Sequence, residues 1–142
     1  MSAEKRLKKI IGRLVNVSFP EWGIELITAK IDTGAYTSSI HCHHIELYEK
    51  NGTEMVSFHL LDPSHPEYEG KTYHSEVHGV KMIKSSNGVS EERIIIKTEI
   101  RIDGDQFPIE LSLADRTEMR YPVLIGRKFL QKKYIVDVSI KY

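Results

Sequence analysis

Hydrophobic and polar residues alternate over short runs along most of the chain, and turn-forming residues separate these runs. This pattern is typical of β-strands. It predicts strands at residues 10–17, 24–31, 38–48, 55–61, 77–83, 93–102, 107–113 and 134–140. One short helix is predicted at residues 127–131. Many short strands with so little helix predict an all-β, barrel-like fold.

The segments between the predicted strands carry turn chemistry. Asn51-Gly52 is a strong hairpin signal, and residues 62–70 contain two prolines, which predicts a loop. The clearest hairpin joins the strands at 77–83 and 93–102. Its connecting segment, residues 84–92, holds the small and polar tip Ser85-Ser86-Asn87-Gly88, which is suited to movement over a ligand.

Composition narrows the classes of function. At 142 residues the chain is expected to form one domain, residues 10–142, preceded by a basic, mobile segment at residues 1–9. Twenty basic and twenty acidic residues give a formal net charge of zero, so no global field favours nucleic acid or a membrane surface. No apolar signal-peptide core or membrane-spanning stretch is visible. A single cysteine excludes an internal disulfide, and a cytoplasmic location is expected.

Candidate chemistry begins at Asp32-Thr33-Gly34, which follows the apolar strand at 24–31. This tripeptide is typical of aspartic proteases, whose mechanism needs two carboxylates that share a proton. No second copy of the motif follows, so the partner carboxylate would come from a second chain across a two-fold axis. Gly34 permits a tight turn, and the Thr33 hydroxyl is placed to bond across that axis. The alternative is that Asp32 simply opens a turn.

A second element is Val123-Leu124-Ile125-Gly126-Arg127, an apolar strand that ends at glycine. With the Asp32 motif and the hairpin between them, it makes the chain resemble the retropepsin-like aspartic peptidases. More specifically, the chain resembles the family labelled ATP-dependent zinc proteases, which is found alongside ATP-grasp glutamate ligases. The resemblance spans residues 11–137 and also includes Thr37-Ser38-Ser39-Ile40-His41, Lys84 to Gly88 with Arg93, Leu113-Ala114-Asp115-Arg116 and Val136-Asp137.

The resemblance implies a retropepsin-like (pepsin-type) closed barrel with a flap hairpin and one short C-terminal helix. Asp32 would be the catalytic carboxylate, with Thr33 and Gly34 completing its loop, residues 85–92 would be the flap, and Gly126 would lie in the psi-shaped loop beside the active site. The expected substrate-binding residues, three of which are arginines, are Ala35, Ser85, Ser86, Asn87, Gly88, Arg93, Arg116, Gly126 and Arg127.

The chain departs from viral retropepsins at Tyr36. In those enzymes the residue at this position is commonly acidic and pairs with the arginine that corresponds to Arg127. Here Arg127 would either use another carboxylate, such as Asp115 or Glu118, or face the cleft, where Arg93 and Arg116 would join it. Because arginine binds carboxylates bidentately, such a cleft favours an acidic substrate.

Metal chemistry has weaker support in the sequence. His41-Cys42-His43-His44 is the metal-like cluster, but strict alternation on a strand puts His41 and His43 on one face and Cys42 and His44 on the other. A zinc site needs three or four ligands, which would have to be completed by His59, His65, His74 or His78. We therefore expect no metal and no other cofactor, and no phosphate-binding glycine motif indicates ATP. Cys42 is interpreted as a small buried residue rather than a nucleophile.

The sequence thus predicts an aspartic peptidase that acts as a homodimer on peptide or isopeptide bonds of an acidic peptide or a glutamylated protein. The expected functional link is to an ATP-grasp ligase, with neither nucleic acid nor membrane as a partner. Two alternatives remain: a non-catalytic binding partner of such a ligase, and a zinc-dependent hydrolase.

Overall fold

The computed structural model describes residues 7–84, 88–115 and 120–142. Its regular secondary structure is mostly β-strand, with one 3-10 turn (Pro20–Trp22) and one short α-helix, α1 (Arg127–Leu130). The eleven strands are β1 (Lys9–Ile11), β2 (Leu14–Phe19), β3 (Ile24–Ile31), β4 (Ser38–Lys50), β5 (Thr53–Leu60), β6 (Thr72–Glu76), β7 (Gly79–Lys84), β8 (Ser90–Ile102), β9 (Asp105–Ala114), β10 (Val123–Ile125) and β11 (Tyr134–Val136).

Six of these strands close into a ring. Hydrogen-bonded neighbours follow the order β10-β3-β2-β8-β9-β4, and β10 also pairs with β4, which completes the circuit. β10 is parallel to β3 and antiparallel to β4, so it lies between them with its C-terminal end beside the residues that follow β3. β5 and β6 continue the sheet outward from β4, and β7 pairs with β8. The predicted all-β, retropepsin-like fold with one short helix is confirmed.

Alternating apolar residues fill the ring. Ile40, Ile96 and Ile100 are fully buried, as are Val123 and Ile125 of β10. Because β10 has apolar neighbours on both sides, its position is fixed by core packing as well as by backbone hydrogen bonds. The core therefore holds rigidly the strand end next to Asp32.

Two predicted strands differ substantially in extent from the structure, and one observed strand was not predicted. The strand predicted at 10–17 is divided into β1 and β2 at Gly12, where an added Cβ would lie 2.5 Å from the carbonyl oxygen of Ile140. The strand predicted at 134–140 ends at Val136, because the Asp137 carboxylate accepts a hydrogen bond from the Ser139 N–H and forms a turn. β6 was not predicted.

The hairpin of β7 and β8 is regular up to its tip. The two strands pair from Gly79↔Ile95 to Lys84↔Ser90. Of the predicted tip, Ser85, Ser86 and Asn87 lie outside the described residues, and Gly88 has a φ of +86°.

Within the described ranges, no helix is long and apolar enough to cross a membrane.

Candidate active site

Asp32 lies directly after β3, in a loop that backbone hydrogen bonds hold in place. Its N–H donates to the carbonyl oxygen of Ile125 in β10, at 2.9 Å. Its carboxylate oxygen Oδ1 accepts from the Gly34 N–H at 3.0 Å, and its carbonyl oxygen accepts from the Ala35 N–H at 3.2 Å. One carboxylate oxygen is thereby oriented, which fixes the direction in which the group faces.

Gly126 is the point at which β10 passes the Asp32 loop. A Cβ at this position would lie 2.7 Å from the carbonyl oxygen of Tyr36 and 2.9 Å from that of Ala35, so only glycine fits without a backbone shift. The N–H of Gly126 donates to Ser38 Oγ at 2.9 Å, and the N–H of Arg127 donates to the Ala35 carbonyl at 2.8 Å. These contacts at the crossing therefore hold the Asp32 loop in one conformation.

Arg127 reaches back over the same loop. Its Nη1 donates to the Thr33 carbonyl oxygen at 2.9 Å, and its guanidinium carbon lies 5.8 Å from the centre of the Tyr36 ring. Among the described residues no carboxylate pairs with it, and Asp115, one of the two partners considered from the sequence, forms no ion pair with it. Glu118, the other, lies outside the described residues. The guanidinium of Arg127 therefore lies beside an aromatic ring and not beside a carboxylate of the described residues.

A cleft of about 890 Å³ opens over Asp32. β3, β7, β10 and the loop after β3 all contribute to its walls, so the hairpin predicted as a flap borders the same space as the Asp-Thr-Gly motif. The residues that line it are Lys30, Asp32, Gly34, Ala35, Tyr36, Thr37, Ser39, Lys81, Met82, Ile83, Lys84, Arg93, Ser112, Arg120, Tyr121, Leu124 and Arg127.

The lining is strongly asymmetric in charge. Among its described residues Asp32 is the one carboxylate, whereas six are cationic: Lys30, Lys81, Lys84, Arg93, Arg120 and Arg127. Arg93 is largely compensated, since it is 7% exposed and its Nε and Nη2 both contact Glu91. The remaining cations make the cleft attractive to anionic groups.

The predicted site residues divide into three groups. Asp32, Gly34, Ala35, Arg93 and Arg127 line the cleft. Thr33, Gly88 and Gly126 are described but do not line it; Gly126 supports the loop from below. Ser85, Ser86, Asn87 and Arg116 lie outside the described residues.

Four lining cations were missed from the sequence. Lys30 precedes Asp32 by two residues in an extended segment, so strand alternation could have placed both on one face. Lys81 and Lys84 lie on the first strand of the hairpin, which was considered only for its tip. Arg120, close to the start of β10, had no comparable signal.

The histidines do not follow the strict alternation that the sequence suggested. A register shift in the pairing of β4 with β5 follows His43, and His44 has a φ of +53°. As a result, His43 and His44 come together with His59 of β5, their ligand atoms all lying within 4.8 Å of one another. The expectation that His43 and His44 face opposite sides is therefore wrong. His41 lies apart, with its Nε2 2.8 Å from Asp62 Oδ2.

Cys42 is fully buried, and burial raises the pKa of its thiol to about 12. A thiol held in this way is protonated at neutral pH and does not act as a nucleophile. The interpretation of Cys42 as a small buried residue is confirmed.

Comparison with known proteins finds relatives in sequence and in fold. Two similar curated proteins are each described as a probable alpha-L-glutamate ligase: one from Desulfotalea psychrophila, 37% identical over 138 residues, and one from Shewanella pealeana, 38% identical over 136 residues. These matches cover 94% and 93% of this chain, but the chain spans only 29% of the length of either relative. A crystal structure of a Legionella pneumophila protein of unknown function has the same fold, with a TM-score of 0.76, 21% identity and coverage of 96% of this chain and 98% of that one.

A family model described as the retropepsin-like aspartic endopeptidase RimB matches residues 10–142. That span contains the Asp32 loop, the hairpin and the Gly126 crossing, the three features from which the site is built. The chain belongs to the RimB-like family of retropepsin-like aspartic endopeptidases.

Proposed function

We propose that the protein is an aspartic peptidase that acts as a homodimer and hydrolyses amide bonds in acidic peptides. The observation that carries this proposal is the oriented Asp32 carboxylate at the base of a cleft whose other described charged residues are all cationic. One such carboxylate is half of the catalytic pair, so the second comes from Asp32 of another copy.

In the dimer the two Asp32 carboxyl groups share one proton. The ionised carboxylate accepts a proton from a bound water molecule while the water oxygen attacks the carbonyl carbon of the substrate. The protonated carboxyl group donates its proton to the carbonyl oxygen. As the tetrahedral intermediate collapses, the carbon–nitrogen bond breaks, the leaving nitrogen takes a proton from the dyad, and one hydroxyl of the intermediate gives its proton to the dyad, which regains its single shared proton. The Gly34 N–H, which binds Oδ1, orients one oxygen and leaves Oδ2 for the shared proton.

The proposed substrate is a chain of acidic residues attached to a protein or peptide, joined by peptide or isopeptide bonds. The cleft supports this, since Lys30, Lys84 and Arg120 are exposed cations along its walls. The curated relatives support it independently, because the proteins in which this segment occurs as 29% of the length are named probable alpha-L-glutamate ligases. A ligase that adds glutamates and a peptidase that removes them act on the same chemical class, which gives the expected functional link to an ATP-grasp ligase.

Mixing experiments test both the catalytic role and the pairing. Wild-type protein is mixed with Asp32→Asn protein at constant total concentration, allowed to exchange subunits and assayed on a glutamate-rich peptide. If both carboxylates are needed, activity follows the square of the wild-type fraction, since only wild-type pairs are active. A linear dependence would show that one chain suffices, and no hydrolysis of any acidic peptide by wild type would reject the peptidase.

A second candidate is a non-catalytic module that binds the ligase or its glutamylated product. Tyr36 favours it, because the position differs from viral retropepsins at the loop that carries Asp32. Assays of the wild-type and Asp32→Asn proteins distinguish the peptidase from the binding module. A binding module retains its affinity for an acidic peptide when Asp32 is replaced by Asn, and neither form hydrolyses the peptide.

A further inference from the structure

Three histidines converge on the outer part of the sheet, away from the cleft, and none of them lines it. His43 and His44 are consecutive in β4, and His59 is directly opposite His43 in β5. The ring centroids are 4.8 Å apart for His43 and His44, 5.3 Å for His43 and His59, and 4.8 Å for His44 and His59. We call this group the histidine cluster.

The backbone is distorted in a way that forms the cluster. The register of β4 against β5 shifts between His43 and Glu46, and His44 adopts a φ of +53°. A left-handed conformation is uncommon for a non-glycine residue, and such backbone concentrates at functional sites. Without the bulge, consecutive side chains would point to opposite faces of the sheet.

Two of the three rings are already oriented as metal ligands are. His43 Nδ1 lies 2.6 Å from the Leu61 carbonyl oxygen, which can only accept, so Nδ1 carries the proton and Nε2 has the lone pair. His59 Nε2 lies 3.0 Å from Thr72 Oγ1. Its Nδ1 is buried and has no hydrogen-bond partner among the described residues. Metal-binding histidines are held in this way, with the second nitrogen donating to a carbonyl or a similar group.

A buried imidazole nitrogen without a partner is costly, because its interaction with water is lost and not replaced. The cost disappears if the lone pair of His59 Nδ1 is used by an ion. Because the three ligand atoms lie within 4.8 Å of one another, an ion can be placed within about 2.8 Å of all three, and a small movement of the rings brings this distance to that of a Zn–N bond, about 2.0–2.1 Å. His44 is exposed and can move most easily.

We propose that His43, His44 and His59 bind one divalent transition-metal ion, of the class that prefers imidazole and represented by Zn²⁺. Three imidazoles without a carboxylate favour zinc, copper or nickel over magnesium and calcium, which prefer oxygen ligands. Three protein ligands leave a fourth position for water or for a donor from another molecule. The ion would fasten the β4 bulge to β5, and the Tyr68 ring, which stacks on His43, would help to hold that ring in place. It takes no part in the Asp32 chemistry.

The test is zinc binding by the full chain after removal of metal with a chelator. Zn²⁺ is titrated in competition with a chromophoric chelator, and Co²⁺ is used to record the visible spectrum of the site. We expect one ion per chain, a Co²⁺ spectrum typical of four-coordination, and a zinc-dependent rise in the melting temperature.

Variants separate the cluster from adventitious binding. His44→Asn removes one imidazole while keeping a residue that tolerates a positive φ, and His59→Gln removes another; each should weaken Zn²⁺ binding by more than about 100-fold. Thr72→Val acts only on the orientation of His59 and should weaken binding by about 10- to 100-fold. His74→Gln, an exposed histidine of the neighbouring β6 that contacts Tyr48, is the matched control and should bind zinc as wild type does.

Two results would overturn the proposal: no stoichiometric zinc at micromolar concentration, or binding that is equal in wild type, His44→Asn and His59→Gln. Asp32→Asn should bind zinc as wild type does. The metal site and the proposed peptidase activity can therefore fail separately.

Discussion

The Asp32 loop and the histidine cluster are built in opposite ways. The Asp32 loop is made by consecutive residues, and its geometry is fixed by hydrogen bonds within the loop and to β10 and the start of α1. The histidine cluster is made by two strands, and it exists because the backbone of β4 is distorted at one residue. A short sequence motif can therefore identify the Asp32 loop, whereas the histidine cluster depends on a bulge that no short motif identifies.

The two regions also differ in how much change they tolerate. Around Gly126, the backbone of one strand approaches the backbone of a loop, and no side chain can yield to make room. Around His44, an exposed side chain lies at a surface bulge, where substitution by a residue with similar backbone preference is expected to be mild. We therefore expect variants of the two regions to act independently, since no hydrogen bond, ion pair or ring contact found among the described residues joins the Asp32 loop to the three histidines.

The largest expected effect is that of Asp32→Asn. Asparagine keeps the size of the side chain and an oxygen that accepts from the Gly34 N–H, but it cannot carry the shared proton. Hydrolysis should fall by about 100- to 10,000-fold, the usual contribution of general acid–base catalysis. Steady-state kinetics on a glutamate-rich peptide measures the loss, and sedimentation and circular dichroism should show an unchanged folded dimer. Turnover near that of wild type would exclude Asp32 from the chemistry.

Gly126→Ala should have the next largest effect. The added Cβ would lie 2.7 Å from the Tyr36 carbonyl oxygen, so the backbone must shift, at a cost of about 1–3 kcal/mol, typical of overpacking. Activity should also fall, because the same shift moves the Asp32 loop. Gly79→Ala is the control: no atom lies within 4 Å of its added Cβ, and its φ is not positive. Denaturant unfolding measures the free energy of unfolding of both variants. Equal values for Gly126→Ala and Gly79→Ala would mean that the crossing has room for a Cβ.

What could be predicted from the sequence follows the same division. The strand before Asp32, the crossing strand and the hairpin were predictable, because alternation and turn residues are local signals. β6 was missed because its residues, Thr72 to Glu76, are half exposed and mostly polar, and pairing with β5 rather than local pattern makes them a strand.

The residues of the two sites show the same contrast as the strands, between those that a local sequence signal identifies and those that depend on strand pairing. Asp32 and Arg127, each identified from a motif, line the cleft, and their roles there stay predictions. Lys81 and Lys84 needed the register of the hairpin against β8. The histidine cluster was missed because strict alternation was assumed at a position where His44 leaves the extended conformation. A left-handed residue in the middle of a strand breaks the alternation from which the prediction was made.

A charge variant in the cleft tests its acidic preference. Lys30 is exposed, lines the cleft and lies two residues before Asp32. Lys30→Gln should lower kcat/KM for glutamate-rich peptides by about tenfold, the lower end of the effect of a hydrogen bond to a charged group. Neutral peptides should be affected little, and added salt should narrow the difference.

Lys50→Gln is the matched control for that experiment. Lys50 is an exposed lysine at the end of β4, outside the cleft lining, and its loss should leave both classes of peptide unaffected. If Lys30→Gln lowered the efficiency equally for acidic and neutral peptides, the cations would serve structure, and the acidic-substrate proposal would be dropped.

The smallest expected effect concerns the ion pair behind the crossing. Lys128 of α1 donates to Glu110 of β9 at 2.8 Å; this hydrogen bond lowers the pKa of Glu110 and raises the pKa of Lys128. The Glu110 contribution to stability is therefore present above its unfolded pKa of about 4.3 and is lost as pH falls through the lower, folded value. The Lys128 contribution is fully present below its unfolded pKa of about 10.4 and is lost as pH rises through the higher, folded value.

Between those limits the pair should contribute about 0.2–1 kcal/mol, because both side chains are partly exposed to solvent. Glu110→Gln should lower the free energy of unfolding by that amount at pH 7 and by progressively less as pH falls below about 4.3. Unfolding in urea at pH 7 and pH 3 measures the difference. A loss that stayed constant with pH would mean that Glu110 acts through packing and not through its charge.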